Sequence, residues 1–412
     1  MDHYGLMKAG DSIDNYSKIA YIDGFRGLGV LIVFTGHFLI SFYPFFGSNN
    51  PDGIFFRNNN LMKYIVFSPI STFYNGHYAV ISFLILSGYV LSYKYFLTGN
   101  KNVVISSLVR RYFRLTIPIF FSCLLAYICL KFDLFFNYET SLVTNSKWLA
   151  KFYSFKPDFI QMIRFAFYDV YFDYNNSQTY NTPLWVMSIF LFGSFLVFSL
   201  LFSFRYVRKR YIIYAIAIFL LHKTYYLAFI LGMMLCDANI SNHDYRSLFK
   251  NKIMLFFLLV TGIYFGSKKL PDDWLYNLLN NNLITIYFNG FSGILYQIIG
   301  SFFIIYVLIN AEIMRRFFSN KIMLFFGKIS FSFYLIHFIV ICSLSCFLFN
   351  SLYELMLPKG ICFLLTLLIT FFVTTLLSYL FYQSVERKTV QYSRKLYHLL
   401  ESSCSMISNC LK

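Results

Sequence analysis

Ten apolar segments divide the chain: Gly27–Phe46, Tyr74–Tyr93, Leu115–Leu130, Pro183–Phe204, Tyr211–Leu221, Tyr225–Cys236, Ile253–Phe265, Phe291–Asn310, Ile329–Phe349 and Ile361–Tyr382. Most approach the ~20 residues that a straight helical span of a bilayer needs. Continuous apolar runs of this length predict helices, because only a helix satisfies its own backbone hydrogen bonds in hydrocarbon. The pattern therefore predicts an all-α polytopic membrane protein of about ten transmembrane helices. Tyr211–Leu221, Tyr225–Cys236 and Ile253–Phe265 are short. The first two flank His222-Lys223-Thr224 and are compatible with a thin or re-entrant hairpin. Losing both would leave the sidedness of everything downstream unchanged.

Charge sets the orientation. Of the 35 Lys and Arg, 24 fall on the two termini and the even-numbered connections, and 11 on the other side. This bias predicts that both termini are cytoplasmic. It also explains the formal charge of +17 without nucleic acid as a partner. Charged residues are 13% of the chain, about half the share usual in soluble domains. Residues 1–400 read as one integral-membrane domain and 401–412 as a short cytoplasmic tail, with the lipid bilayer as the first partner. No internal repeat or cleavable signal sequence is evident, so a multi-pass protein of the cytoplasmic (inner or plasma) membrane is expected. The longest external connection, Lys131 to Thr182, is large enough to cap an external cavity. Cys123, Cys129, Cys236, Cys342, Cys346 and Cys362 lie in or near apolar segments, and Cys404 and Cys410 in the tail. None has partners at metal-ligand spacing, so neither a disulfide framework nor a metal site is expected.

Two ionisable residues stand out in the first segment. Arg26 lies at its edge and His37 well inside it, in YIDGFRGLGVLIVFTGHF. An ionisable group at membrane depth is costly and reads first as functional. Eleven positions make almost three whole helical turns, so both residues share one face, ~16 Å apart along the axis. A neutral imidazole there could take the proton of an attacking alcohol; it could also simply bond a neighbouring helix. Arg26 is open to three readings: a topological anchor, a ligand for phosphates, or a charge that orients a donor. Asp23, three residues earlier, is placed to pair with it.

Four ordered segments carry a resemblance. They are YIDGFRGLGVLIVFTGH; AVISFLILSGYVLS (Ala79–Ser92); RRYFRLTIP (Arg110–Pro118); and GKISFSFYLIHF (Gly327–Phe338) followed by SVER (Ser384–Arg387). Together they resemble the acyltransferase-3 family of integral-membrane acyltransferases, which includes bacterial surface-polysaccharide O-acetylases. The resemblance implies transfer of an acyl group, usually acetyl from acetyl-CoA, to a hydroxyl of a surface glycan or lipid-linked saccharide. Acetyl-CoA would be a co-substrate, with no tightly bound cofactor. The resemblance also implies that His37 and Arg26 are catalytic. Arg110, Arg111 and Arg114 open the third span as one basic face at a helix N-terminus, suited to CoA phosphates or to topology alone. Ser87-Gly88 reads as a close-packing pair with cavity lining as the alternative, and His337 as a buried histidine tied to a carbonyl. Glu386 is expected to pair with Arg387 at the interface, and His77 to be a wetted interfacial histidine.

One position departs from the family pattern. Trp185 is retained, but Phe190 stands where the family segment has a glutamate. The glutamate could be dispensable, replaced by Asp169 or Asp173, or missed. Two other classes therefore stay open: a glycan or lipid transporter or polysaccharide polymerase without CoA chemistry, and a non-catalytic relative.

Overall fold

A computed structural model describes residues 19–50, 56, 60–204, 207, 209–241, 251–267 and 291–410. Arg57, Arg205, Arg208, Arg246, Lys250, Lys268 and Lys269, used above in the charge count, lie outside the described residues, as do Lys8, Lys18 and Lys412. Each of the ten apolar segments corresponds to a helix. We label them α1 (Ala20–Phe42), α2 (Gly76–Thr98), α3 (Lys101–Lys131), α4 (Met187–Ser203), α5 (Arg210–Leu221), α6 (Tyr226–Ser241), α7 (Lys252–Gly266), α8 (Ser292–Asn310), α9 (Lys321–Val340) and α10 (Lys359–Phe381). Seven of them, with the short helical turns that extend α4, α9 and α10, are long and apolar enough to cross a membrane. The three short ones are α5 to α7, as their sequences predict. Twelve residues of α5 rise only about 18 Å.

Local sequence explains where the helices begin and end. Asparagine side chains cap α2, α3, α7 and α9, with Asn75, Asn100, Asn251 and Asn320 each accepting a first-turn N–H. Such caps satisfy amides that the helix cannot. Gly99 ends α2 at φ +66°, a left-handed turn that lets Asn100 start α3 at once. A helix from Arg387 to Cys410 continues beyond α10 through a π turn at Tyr382–Glu386.

Small residues set the distances between helices. Gly88 of α2 faces the backbone of α6: a Cβ there would lie 2.1 Å from the Phe229 carbonyl oxygen. Gly232 of α6 returns the contact, 1.9 Å from the oxygen of Ile85. Close approach at small residues is how membrane helices gain packing energy. Gly88→Ala is therefore expected to lower stability by at least about 1–3 kcal/mol. The thermal midpoint of the detergent-solubilised protein checks this; an unchanged midpoint would show that the helices separate at no cost. The same device joins α1 to α9, where Gly27 meets Gly327 N and Met323 O, each 2.7 Å from an added Cβ.

The Lys131–Thr182 connection departs from the expected external cap in one part. Its first part does cover one end of α1 and α9: Phe136 N donates to Cys342 O, and Ser146 Oγ to Ile40 O. The segment Phe159–Phe172 instead folds back alongside α3. Phe159 packs on Tyr127 at one end, and Tyr112 Oη donates to Phe167 O near the other. Thr116 and Tyr171 hydroxyls are 2.8 Å apart in the same seam. The segment's buried residues, Met162, Phe165, Ala166, Val170 and Tyr171, form a stripe at helical spacing that packs on the bundle, while Ile160, Tyr168 and Phe172 stay exposed.

Candidate active site

The basic residues gather at one end of the bundle. Arg26 of α1, Arg111 and Arg114 of α3 and Lys328 of α9 line a cavity of about 540 Å³, together with Asp23 and Glu386. Its walls also include Ser87 of α2, Met187 and Phe190 of α4, and Tyr334 of α9. Four cations against two carboxylates leave it formally positive. Arg26 and Asp23 pair as their spacing suggests, Nη1 to Oδ1 at 3.2 Å. The buried Nε–H of Arg111 has no partner among the described residues. An unmet buried donor is costly.

Two expectations about the arginines change. They do not sit at a helix N-terminus: α3 begins at Lys101, about two and a half turns earlier. The macrodipole acts within the first turn, so the positive charge that α3 brings to this end of the cavity is that of the guanidinium groups alone. Nor do the three form one face. Arg111 and Arg114 line the cavity, while Arg110 turns aside and its Nε donates to Ser106 O at 2.9 Å. Pro118 lies within α3; lacking an N–H, it cannot donate to the Arg114 carbonyl one turn below.

Glu386 is also placed differently from expectation. Its Oε2 accepts from Ser332 Oγ at 2.5 Å, and it faces the cavity. Arg387 bonds Gln383 instead, at 3.2 Å. Adjacent residues on a helix point ~100° apart and do not meet. Phe190 lines the cavity and packs edge-on to Phe229. Asp169 pairs with Arg164 at 3.1 Å, and neither it nor Asp173 lines the cavity. The carboxylates that do are Asp23 and Glu386.

His37 lies farther along α1, outside this cavity, and meets His337 of α9. The distance from His37 Nδ1 to His337 Nε2 is 2.9 Å. The ring planes are 2° apart with centroids 5.2 Å apart, so the two imidazoles lie edge to edge in nearly one plane. His337 is fully buried, and its Nδ1 is 3.1 Å from the Phe333 carbonyl oxygen. The expected carbonyl contact is present, but its role is larger than anchoring. A carbonyl only accepts, so His337 Nδ1 carries hydrogen and neutral His337 must accept at Nε2. His37 then donates from Nδ1, and its Nε2 keeps a free lone pair. Tyr334 links the two regions: it lines the cavity, its ring centroid is 5.8 Å from that of His337, and its hydroxyl donates to Pro183 O.

Trp185 and His77 form a separate cluster. Their rings stack 8° from parallel. His77 is not a wetted residue: Nδ1 bonds Gln297 at 2.7 Å and Nε2 bonds Tyr225 at 2.9 Å. Ser87 lines the cavity, while its neighbour Gly88 does the packing. Nothing in the sequence links His37 to His337, 300 residues away; their pairing is a product of the packing of α1 on α9.

Comparison with known proteins adds one match. Searches of curated proteins and of solved structures returned no match. The sequence profile of the family described as "Acyltransferase domain" (Acyl_transf_3) matches residues 19–383, a span that holds α1 to α10, His37, His337 and every residue that lines the cavity except Glu386 and Val390. The chain belongs to the acyltransferase-3 family of membrane acyltransferases.

Proposed function

We propose that this protein transfers an acyl group, in the simplest case acetyl from acetyl-CoA, to a hydroxyl of a surface glycan or lipid-linked saccharide. The observation that carries this reading is the imidazole pair, whose His37 Nε2 is left unprotonated on the same helix as Arg26 of the cationic cavity. The phosphates of CoA suit Arg26, Arg111 and Arg114, since guanidinium forks match phosphate oxygens. The charge bias favours the cytoplasmic side for that cavity. From there the thioester has ~16 Å to cover to reach His37, a distance comparable to an extended phosphopantetheine arm, and Tyr334 lies along the way.

The step is a direct acyl transfer. The acceptor hydroxyl gives its proton to His37 Nε2 as its oxygen bonds the thioester carbonyl carbon. Collapse of the tetrahedral species breaks the C–S bond, and His37 returns the proton to the departing thiolate as CoA thiol. His337 accepts from His37 Nδ1 throughout and holds the imidazolium in place.

Membranes bearing the native surface glycan and supplied with radiolabelled acetyl-CoA test the reading. Label is expected in the glycan or lipid fraction; label remaining in acetyl-CoA and free acetate would oppose it. Arg111→Gln is expected to raise the KM for acetyl-CoA about 10- to 100-fold, the worth of one charge-assisted hydrogen bond, with little change in kcat. An unchanged KM would take Arg111 out of the donor site.

A further inference from the structure

The capping part of the Lys131–Thr182 connection places one aromatic side chain directly on the proposed base. Trp148 stacks against His37, with ring centroids 5.7 Å apart and planes 28° apart. The indole is rigidly held: Phe152 meets it edge-on at 4.9 Å and Phe338 at 5.6 Å. The backbone beneath is fixed from both sides. Ser146, two residues earlier, donates to Ile40 O on α1 and accepts from Leu149 N, while Asn137 Nδ2 bonds the carbonyls of Leu149 and Phe152.

His37 is half-buried, does not line the cationic cavity, and makes no hydrogen bond at Nε2 among the described residues. Trp148 is itself half-buried, so it is not sealed in the core. In the same cap, Tyr153 is held at φ +56° and its buried hydroxyl has no partner among the described residues. A strained backbone position kept by its surroundings marks a site where geometry matters.

We infer that Trp148 is the platform for the acyl acceptor, and that the acceptor is a neutral pyranose whose C–H face lies on the indole. An aromatic wall with a few neutral polar groups suits a ring that is apolar on its face and hydroxylated at its rim. Stacked there, the sugar presents a rim hydroxyl to His37 Nε2, which takes its proton as the acyl oxygen bond forms and the C–S bond of the donor breaks. This inference rests on the acyltransferase reading. Donor and acceptor then enter from opposite ends of the bundle and meet at the imidazole pair.

The test uses the purified full-length chain, radiolabelled acetyl-CoA and glycolipid extracted from a strain carrying the native glycan, each titrated separately. Trp148→Ala is expected to raise the KM for glycolipid about tenfold or more and leave that for acetyl-CoA within about twofold. Trp148→Phe, which keeps a ring, is expected to recover most of the loss and controls for folding. A fall in kcat with both KM values unchanged would reduce Trp148 to a support for His37 and overturn the inference. A rise in the acetyl-CoA KM alone would move the residue to the donor site and also overturn it. Absence of transfer by the wild-type chain would instead sink the acyltransferase reading, and the platform with it.

Discussion

His37→Ala is expected to lower acyl transfer by about 10²- to 10⁴-fold, the usual contribution of a positioned general base. The loss should fall on kcat. Of the arginines that would hold the donor, Arg26 lies ~16 Å along α1, and Arg111 and Arg114 line the same cavity, which does not include His37, so the KM for acetyl-CoA should stay within about twofold. Alanine alone is an imperfect probe, because it also leaves a hole beside Trp148 and deprives His337 Nε2 of its donor among the described residues. His37→Asn separates the two effects. Its amide N–H₂ can still donate toward His337, which preserves the packing and the hydrogen bond, but it has no basic nitrogen. Both variants should therefore be equally inactive while the asparagine protein retains the wild-type thermal midpoint. An asparagine variant with more than about a tenth of wild-type kcat would remove His37 as the base.

The sequence showed the elements of this site more clearly than their arrangement. Apolar segment length was enough for ten helices, including the three too short to span, because burial in lipid permits only one backbone solution. Arg26, His37 and Asp23 were readable together since they share a single helix with fixed periodicity. Contacts between helices were not. Nothing in the spacing of α1 and α9 says that their glycines bring the backbones close enough for His37 to reach His337, three hundred positions away. The same limit hid the role of Glu386: next to Arg387 it looks like half of an ion pair, and only the packing of the π turn against α9 reveals Ser332 as its partner. The arginine cluster is plain in the sequence, but its distance from the start of α3 is not: the β-branched run Val103-Val104-Ile105 favours strand over helix, and the helix begins before it nonetheless. Trp148 was visible only as an aromatic in a long connection. Its place on the base depends on Ser146 and Asn137, whose bonds to α1 and to the loop carbonyls carry no sequence signature.

His337→Phe is the second large loss to expect, and its cause is the tautomer of a residue it does not replace. Phenylalanine fills a similar buried space on α9, so the helix contacts around Phe333, Phe338 and Tyr334 should survive. It offers no acceptor, and His37 Nδ1–H is then left without its partner at 2.9 Å. An imidazole freed from that bond can move its proton to Nε2 and bond elsewhere through Nδ1, which removes the lone pair the reaction needs. Substitutions that set the wrong tautomer in serine hydrolases cost about 10⁴ in kcat; here, with no buried carboxylate lost, about 10²-fold is expected, again without change in acetyl-CoA KM. His337→Gln should recover much of this. Its Oε1 can accept from His37 Nδ1–H while its amide N–H₂ donates to the Phe333 carbonyl, reproducing both bonds that His337 makes. The order wild type, glutamine, phenylalanine in kcat, at equal thermal midpoints, is the signature of a positioning residue. Equal activity of the phenylalanine protein and wild type would show that the proton on His37 needs no partner to stay at Nδ1, and the pair would then be a packing contact between two helices.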